Sequence, residues 1–365
     1  MKKLLLGIII IAVAIGIYVI SNQQMATSVD SNSGKPTIKI GVLLPLTGNL
    51  SNMGQSLKNG ALLAIQDADS KNLKYNYELV IDDDRFEPKL DATIFTKQKS
   101  VDDVKAMVSF ASTTGNILAP RADAAKIIYF NVGASDANVA KGKYTFIHWT
   151  QPSETTQKIL EHQQAQGYKK VAFFAGNDAG VNALLKEYER QAPDYGLDIE
   201  VLRFNPDEKD FKMLLAKAIS YNPDVYTALI WGGNVNPFIK QFNEANIDKP
   251  LNGIESVSMI DDTSILEGMY YADVAAAEES FNKHLAKNFP ANPTNFAVGN
   301  MYDVINIIIR AFEAAETPDK AIDELLKIKE YNGVIGTATQ DSEGIFRTNA
   351  VLKKIKNGKP LTVKE

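Results

Sequence analysis

The stretch Ile38-Lys-Ile-Gly-Val-Leu-Leu44 decides the fold of this 365-residue chain. It is too apolar for a strand with one solvated face and too short for a helix, so it predicts a strand that is buried on both faces. Pro45 to Gly48 then turn the chain, and Ser51 or Asn52 can cap a following amphipathic helix. A buried strand, a glycine-bearing loop and a helix make the first βα unit of a parallel sheet.

The same alternation continues along the chain in two series, the second of which starts after Trp149. Further strands are predicted at residues 78–82, 105–110, 127–131, 170–174, 198–204 and 225–231, with helical stretches between them. Near the C-terminus, Asp341-Ser-Glu-Gly344 predicts the tight turn of a hairpin. The length suits two α/β domains, each with its own core.

The N-terminus predicts export from the cytoplasm. Met1-Lys2-Lys3 precedes an uncharged apolar run from Leu4 to Ile20, which is longer than the about 7–15 residues usual in a signal peptide. The run is also at the short limit of about 17–25 residues for a spanning helix, so a cleaved signal peptide and a membrane anchor both stay open. The lysines would remain in the cytoplasm in either case. Residues 21–36 are polar and predict a tether.

Composition removes several function classes. The net charge is −5, and the basic residues alternate with acids, so we expect no nucleic-acid partner. The chain has no cysteine, which excludes thiol catalysis, disulfides and thiolate metal sites. Its three histidines, His148, His162 and His284, fall on separate predicted elements, which argues against a histidine metal site or a catalytic triad.

The motifs of common enzyme and nucleotide sites are also missing. The loop after the first strand has Gly48 and Gly54 six residues apart, which does not match the G-x-G-x-x-G that lets a backbone approach a pyrophosphate. Residues 82–84 with Glu87 could suggest a hard-cation site, but acids between a strand and a helix more often cap the helix. We therefore expect no enzyme activity, no cofactor and no metal.

Two polar loops follow predicted strands and predict a ligand site. They are Ser112-Thr-Thr-Gly115 and Gly133-Ala-Ser-Asp136. In open α/β sheets ligands bind at the carboxyl ends of the strands. Hydroxyl and backbone N–H groups at a helix N-terminus suit a carboxylate.

Several ordered stretches resemble one known family. They are residues 38–48, Gly54, Asn59 to Ile65, Asp82 to Asp84, Pro88, Glu208 to Phe211, Tyr302-Asp303, Gly336 and Asp341-x-x-Gly344. Together they resemble the leucine/isoleucine/valine-binding proteins, the substrate-binding subunits of ABC transporters. The resemblance extends from Lys35 to Leu361. It implies a type I periplasmic binding protein, an α/β fold of two doubly wound parallel-sheet lobes joined by a three-strand hinge.

The resemblance also implies a site. Ser112, Gly133 and Ser135 would hold an amino acid's carboxylate, and Glu255 would hold its ammonium from the other lobe. Ala134 lies in the same loop. The side-chain pocket would be lined by Met53, Trp231, Asn234 and Phe296. This pocket departs from the family pattern at Asn177 to Gly180, at Asn234 and at Met53, and the family's occasional disulfide is replaced by Phe86 and Ala111.

The implied organisation divides the chain into three parts. Residues 1–36 are the signal or anchor and the tether, 37–149 plus 275–345 form lobe 1, and 150–274 plus 346–365 form lobe 2. The expected protein is an extracytoplasmic, monomeric binder that closes on a small ligand, an amino acid, for an ABC permease. The sensor domain of a signalling complex, or a binder of amides, urea or aromatic acids, stays open as the alternative.

Overall fold

The computed structural model describes residues 34–255, 257, 260 and 262–363. Fifteen strands are found in this part of the chain. They are β1 Thr37–Leu44, β2 Asn76–Asp83, β3 Ala106–Phe110, β4 Ile128–Val132, β5 Thr145–His148, β6 Lys170–Gly176, β7 Asp198–Phe204, β8 Val225–Leu229, β9 Leu251–Ile254, β10 Tyr270–Val274, β11 Glu330–Gly333, β12 Gly336–Gln340, β13 Ile345–Arg347, β14 Ala350–Lys356 and β15 Lys359–Thr362.

Ten α-helices connect or flank these strands in the described residues. They are α1 Ser51–Asp69, α2 Pro88–Ser100, α3 Ser112–Ala125, α4 Pro152–Ala165, α5 Ala179–Gln191, α6 Lys212–Tyr221, α7 Val235–Glu244, α8 Glu279–Asn288, α9 Val298–Ala314 and α10 Ala321–Leu325.

The strands form two sheets. The first has the order β11-β12-β13-β5-β4-β3-β1-β2, and the second has the order β15-β14-β10-β9-β8-β6-β7. Strands β1 to β5 pair in parallel, as do β6 to β10, and the antiparallel pairs lie at one end of each sheet. The parallel strands β3, β4 and β8 are buried along their whole length, which explains their continuous apolar sequences.

Each sheet has its own hydrophobic core. The first is filled from one side by α9, whose residues Met301, Val304 and Ile308 are fully buried. The second sheet has a cluster on each face, one centred on Phe174 and Phe238 and the other on helices α4 and α5. Two separately cored lobes result, and the predicted fold class is confirmed.

Three chain crossings connect the lobes, as predicted. They lie between β5 and α4, between β10 and α8, and between β13 and β14. The crossings are held side by side: the hydroxyls of Thr150 and Thr348 are 2.6 Å apart, and the Ala275 N–H donates to the Asn349 carbonyl at 3.2 Å. The exact lobe boundaries stay a prediction.

The predicted C-terminal hairpin is found, but its second arm is divided. β12 pairs antiparallel with β13 around the Asp341–Gly344 turn. β13 stays in the first sheet, and the chain then crosses at Thr348 and Asn349 to pair as β14 with β10 of the second sheet.

The predicted export segment, residues 1–33, lies outside the described residues. Within the described ranges, no helix combines the length and the apolar character needed to cross a bilayer.

Candidate ligand-binding cleft

The carboxyl ends of the parallel strands of both sheets face a common cleft. Its deeper part, here called the inner pocket, is a cavity of about 50 Å³. The inner pocket is lined by Phe110, Ala111, Ser112, Thr113, Gly133, Ser135, Asp178, Gly180, Val181, Leu184, Leu229, Trp231 and Glu255. Both lobes contribute to it, which is the position expected for a ligand in a two-lobed α/β protein.

Ser112 starts helix α3 and connects the two first-lobe loops. The preceding Ala111 has φ 68° and ψ 155°, a backbone conformation that is almost restricted to glycine. The Ser112 Oγ accepts hydrogen bonds from the N–H groups of Ser135, at 3.0 Å, and Asp136, at 3.1 Å. The Thr113 hydroxyl also lines the pocket at the first turn of α3, where backbone N–H groups lack helical partners.

The second loop follows β4 and depends on a glycine. Gly133 has φ 80°, and a Cβ at this position would lie 2.5 Å from Cε2 of Phe110. The chain therefore turns sharply there and brings Ser135 into the inner pocket. Ala134 is fully buried, and its carbonyl accepts from Gln151 Nε2 at 3.3 Å.

Glu255 faces these loops from the second lobe. It follows β9 with φ 48° and is only 5% exposed. Its Oε2 accepts from the Ser135 hydroxyl at 3.4 Å and from Trp149 Nε1 at 3.2 Å. Its Oε1 is buried and has no hydrogen-bond partner among the described residues.

Burial raises the pKa of Glu255 to about 7. The negative charge of Asp273 adds to the increase, and the hydrogen bond from Trp149 opposes it. A buried carboxylate with a free oxygen gains most from a positively charged partner, because such a partner offsets its lost hydration.

The shallower part of the cleft, here called the outer pocket, is a cavity of about 250 Å³. It is lined by Asn49, Leu50, Arg85, Phe86, Gly176, Asp178, Phe204, Pro206, Trp231, Gly232, Gly233 and Asn234. Asp178 and Trp231 line both pockets, so the two are continuous.

An aromatic contact connects the lobes at the outer pocket. Phe86 of the first lobe meets Trp231 of the second edge to face, with ring centroids 5.2 Å apart. Trp231 Nε1 donates to Asp178 Oδ2 at 2.9 Å, while Asp178 also caps α5 through the Val181 N–H. Burial raises the pKa of Asp178, and these hydrogen bonds oppose the increase.

Comparisons with known proteins agree with this geometry. Residues 37–359 match a family model described as periplasmic binding protein. The chain belongs to the periplasmic binding protein family. A leucine-, isoleucine-, valine-, threonine- and alanine-binding protein of Pseudomonas aeruginosa is 24% identical over 334 residues, which cover 84% of this chain and 87% of that protein. The predicted resemblance to the leucine/isoleucine/valine-binding proteins is thus confirmed.

Two solved structures illustrate the fold of this periplasmic binding protein. A branched-chain amino acid transporter substrate-binding protein of Streptococcus pneumoniae, in complex with isoleucine, has a TM-score of 0.80 at 21% identity and covers 90% of this chain and 100% of that one. A solute-binding protein of an ABC transporter from R. palustris, in complex with 4-hydroxybenzoate, has a TM-score of 0.82 at 16% identity. The match covers 90% of this chain and 96% of that one.

The structure brings five predicted ligand residues of this periplasmic binding protein to the inner pocket: Ser112, Gly133, Ser135, Trp231 and Glu255. Their roles toward a ligand stay predictions.

The other predicted residues lie around the inner pocket. Asn234 lines the outer pocket, and its Nδ2 donates to the Glu208 carbonyl at 2.7 Å. Met53 lines a neighbouring groove, which shares Asn49, Leu50 and Gly232 with the outer pocket. Phe296 packs behind the site, with its ring centroid 5.5 Å from that of Trp149.

Sequence reasoning assigned the loop Asn177 to Gly180 to the pocket without naming Asp178 as a ligand residue, and it missed Arg85 and Phe204 as cleft residues. Asp178 precedes a helix and is read naturally as its cap, a role that it also has here. Asp83, from the acidic stretch before α2, accepts from the N–H groups of Leu46 and Arg85 and from the Thr47 hydroxyl. This carboxylate thus fixes loops beside the cleft.

Proposed function

We propose that this periplasmic binding protein is an extracytoplasmic receptor that closes its lobes on a free amino acid and delivers it to an ABC permease. The observation that carries the proposal is the Glu255 carboxylate, which is buried, faces the inner pocket and has an oxygen without a partner among the described residues. An α-ammonium group supplies the charge and the donors that this oxygen lacks.

The opposite wall suits the α-carboxylate. The Thr113 hydroxyl and the N-terminal turn of α3 offer hydrogen-bond donors, and the helix dipole favours negative charge there. The Ser112 oxygen already accepts two backbone N–H bonds, so its hydroxyl hydrogen is directed away from those N–H groups and is available to a ligand. A zwitterion thus finds donors on one lobe and an acceptor on the other.

Such a ligand would stabilise the closed state because it bridges the lobes. The relatives support transport as the context, since one is named for binding five amino acids and another was solved with isoleucine. The permease as partner rests on the family. A sensor complex that recognises the same closed state is the alternative.

Aromatic acids form a second candidate class. The outer pocket contains Phe86, Phe204 and Trp231, and a structural relative was solved with 4-hydroxybenzoate. A monocarboxylate of this kind carries no cation for Glu255, however, so the amino acid is the better match.

The test is thermal unfolding of the protein with each of the common amino acids. At a concentration about 100-fold above its Kd, a ligand should add about 2.7 kcal/mol to the free energy of unfolding and so raise the Tm. The N-acetyl derivative of the same amino acid, which lacks the ammonium, should give no increase. If no amino acid raises the Tm, the proposal is wrong. An increase with 4-hydroxybenzoate alone would favour the aromatic acids.

A further inference from the structure

The outer pocket contains a feature that an aliphatic amino acid does not need. Arg85 and Phe86 are adjacent, and both have left-handed backbones, with φ 53° and 58°. Neither residue is a glycine, which adopts positive φ without steric cost. Such conformations are costly for ordinary side chains and persist where the surroundings impose them.

Two carboxylates impose this backbone. Asp83 Oδ1 accepts from the Arg85 N–H at 2.9 Å, and Asp84 Oδ1 accepts from the Phe86 N–H at 2.9 Å. Asp84 is almost fully buried, so the loop is anchored to the lobe interior. Both residues line the outer pocket.

The two side chains offer different chemistry. Phe86 belongs to an aromatic lining with Phe204 and Trp231, which suits a flat π-bearing group. The Arg85 guanidinium has no hydrogen bond or ion pair with any described residue, and it is exposed. A second cation lies beside the same pocket, since Lys209 Nζ donates to the Gly233 carbonyl at 2.6 Å.

Charge and size thus change along the cleft. The inner pocket ends at the buried Glu255 and is about 50 Å³, whereas the outer pocket is about 250 Å³ and carries Arg85. A branched aliphatic side chain would leave most of the outer pocket and its cation unused.

Resting on the proposed function, we infer that the preferred ligand is an α-amino acid with an elongated, flat side chain that ends in an anionic group. Its zwitterionic end occupies the inner pocket, the flat segment lies among Phe86, Phe204 and Trp231, and the terminal anion pairs with Arg85. Arg85 is thereby the specificity-determining residue.

The test compares three probes, L-leucine, L-phenylalanine and 4-carboxy-L-phenylalanine, by isothermal calorimetry with the full chain in mild detergent. We expect the carboxylated probe to bind tightest. Arg85→Gln should lower the affinity for that probe about 5- to 10-fold, which is the effect of losing one partly exposed charge-assisted hydrogen bond. The same substitution should change the affinity for phenylalanine less than about twofold. Arg121→Gln, on the exposed face of α3, is the matched control and should change neither of these two affinities.

The two proposals fail in different ways. If leucine binds tightest and Arg85→Gln affects all probes equally, the inference is wrong while amino-acid binding stands. If no probe binds the unaltered protein, the inference is wrong, and the thermal screen over all amino acids decides separately whether the proposed function stands. A salt titration adds an independent readout, because added salt should lower the affinity for the carboxylated probe more than the affinity for phenylalanine.

Discussion

At the scale of the residue, Glu255 is the group on which the proposed amino-acid binding depends. Its pKa of about 7 means that the side chain is largely protonated in mildly acidic solution before ligand arrives. An ammonium group needs the ionised form, so binding below that pKa must release a proton. The raised value follows chiefly from burial of the carboxyl group.

We therefore expect amino-acid affinity to be independent of pH from about 7.5 until the ligand's own ammonium group begins to deprotonate in alkaline solution, and to fall about tenfold per pH unit below about pH 6.5. Calorimetry in buffers of different ionisation enthalpy measures both the affinity and the released proton. Asp178 also lines the pocket and has a raised pKa, so Glu255→Gln is the necessary control. That variant should bind weakly with no pH dependence, and a flat profile for the unaltered protein would contradict the role of Glu255.

The same pKa predicts the stability of the ligand-free protein. Because the folded-state value exceeds the ordinary value of 4.5, the folded protein retains a proton that the unfolded chain releases between these two pH values. Stability from this group is thus lost as the pH rises from about 4.5 to about 7. Urea unfolding should show Glu255→Gln more stable than the unaltered protein by about 1–3 kcal/mol at pH 8, and equal to it at pH 4.

At the scale of the element, the loop after β4 positions Ser135. We expect Gly133→Ala to destabilise the protein by about 2–3 kcal/mol, because it combines a left-handed backbone with a contact against Phe110. Gly268→Ala is the matched control, since Gly268 has φ 86° but nothing within 4 Å of an added Cβ. We expect Gly268→Ala to lower the free energy of unfolding by about 1 kcal/mol, which measures the effect of the left-handed backbone alone. If urea unfolding shows that both substitutions lower the free energy of unfolding equally, the Phe110 ring moves to accommodate the added Cβ, and the prediction is wrong.

Elements also show how far the sequence leads. Uninterrupted apolar runs such as β1 and β8 predict buried parallel strands, because no other element of that length is apolar on both faces. β9, β10 and α7 were not predicted: β9 is four residues long and contains Gly253, so its pattern is weak. Within the cleft, the loops with Ser112 and Ser135 follow from strand ends, whereas the direction of Met53 or Asn234 depends on packing that no local pattern encodes.

At the scale of the whole molecule, the proposed lobe closure is a motion about the narrow hinge that the three crossings form. Glu255 lies on one lobe and Ser135 on the other, so a ligand held by both favours the closed state. Small-angle X-ray scattering should show a decrease in the radius of gyration when a binding amino acid is added. Glu255→Gln at the same ligand concentration should retain the larger radius. If the radius of gyration of that variant decreases by the same amount, closure does not depend on the Glu255 contact and the prediction is wrong.

The positions of the tryptophans have a practical consequence. The chain has two tryptophans, Trp149 and Trp231, and both donate their indole N–H to a carboxylate of the cleft. Trp231 also contacts a ring of the opposite lobe, so its surroundings change when the lobes separate. The protein therefore contains an intrinsic fluorophore at the proposed ligand site, and its emission spectrum can be used to follow binding without any attached dye.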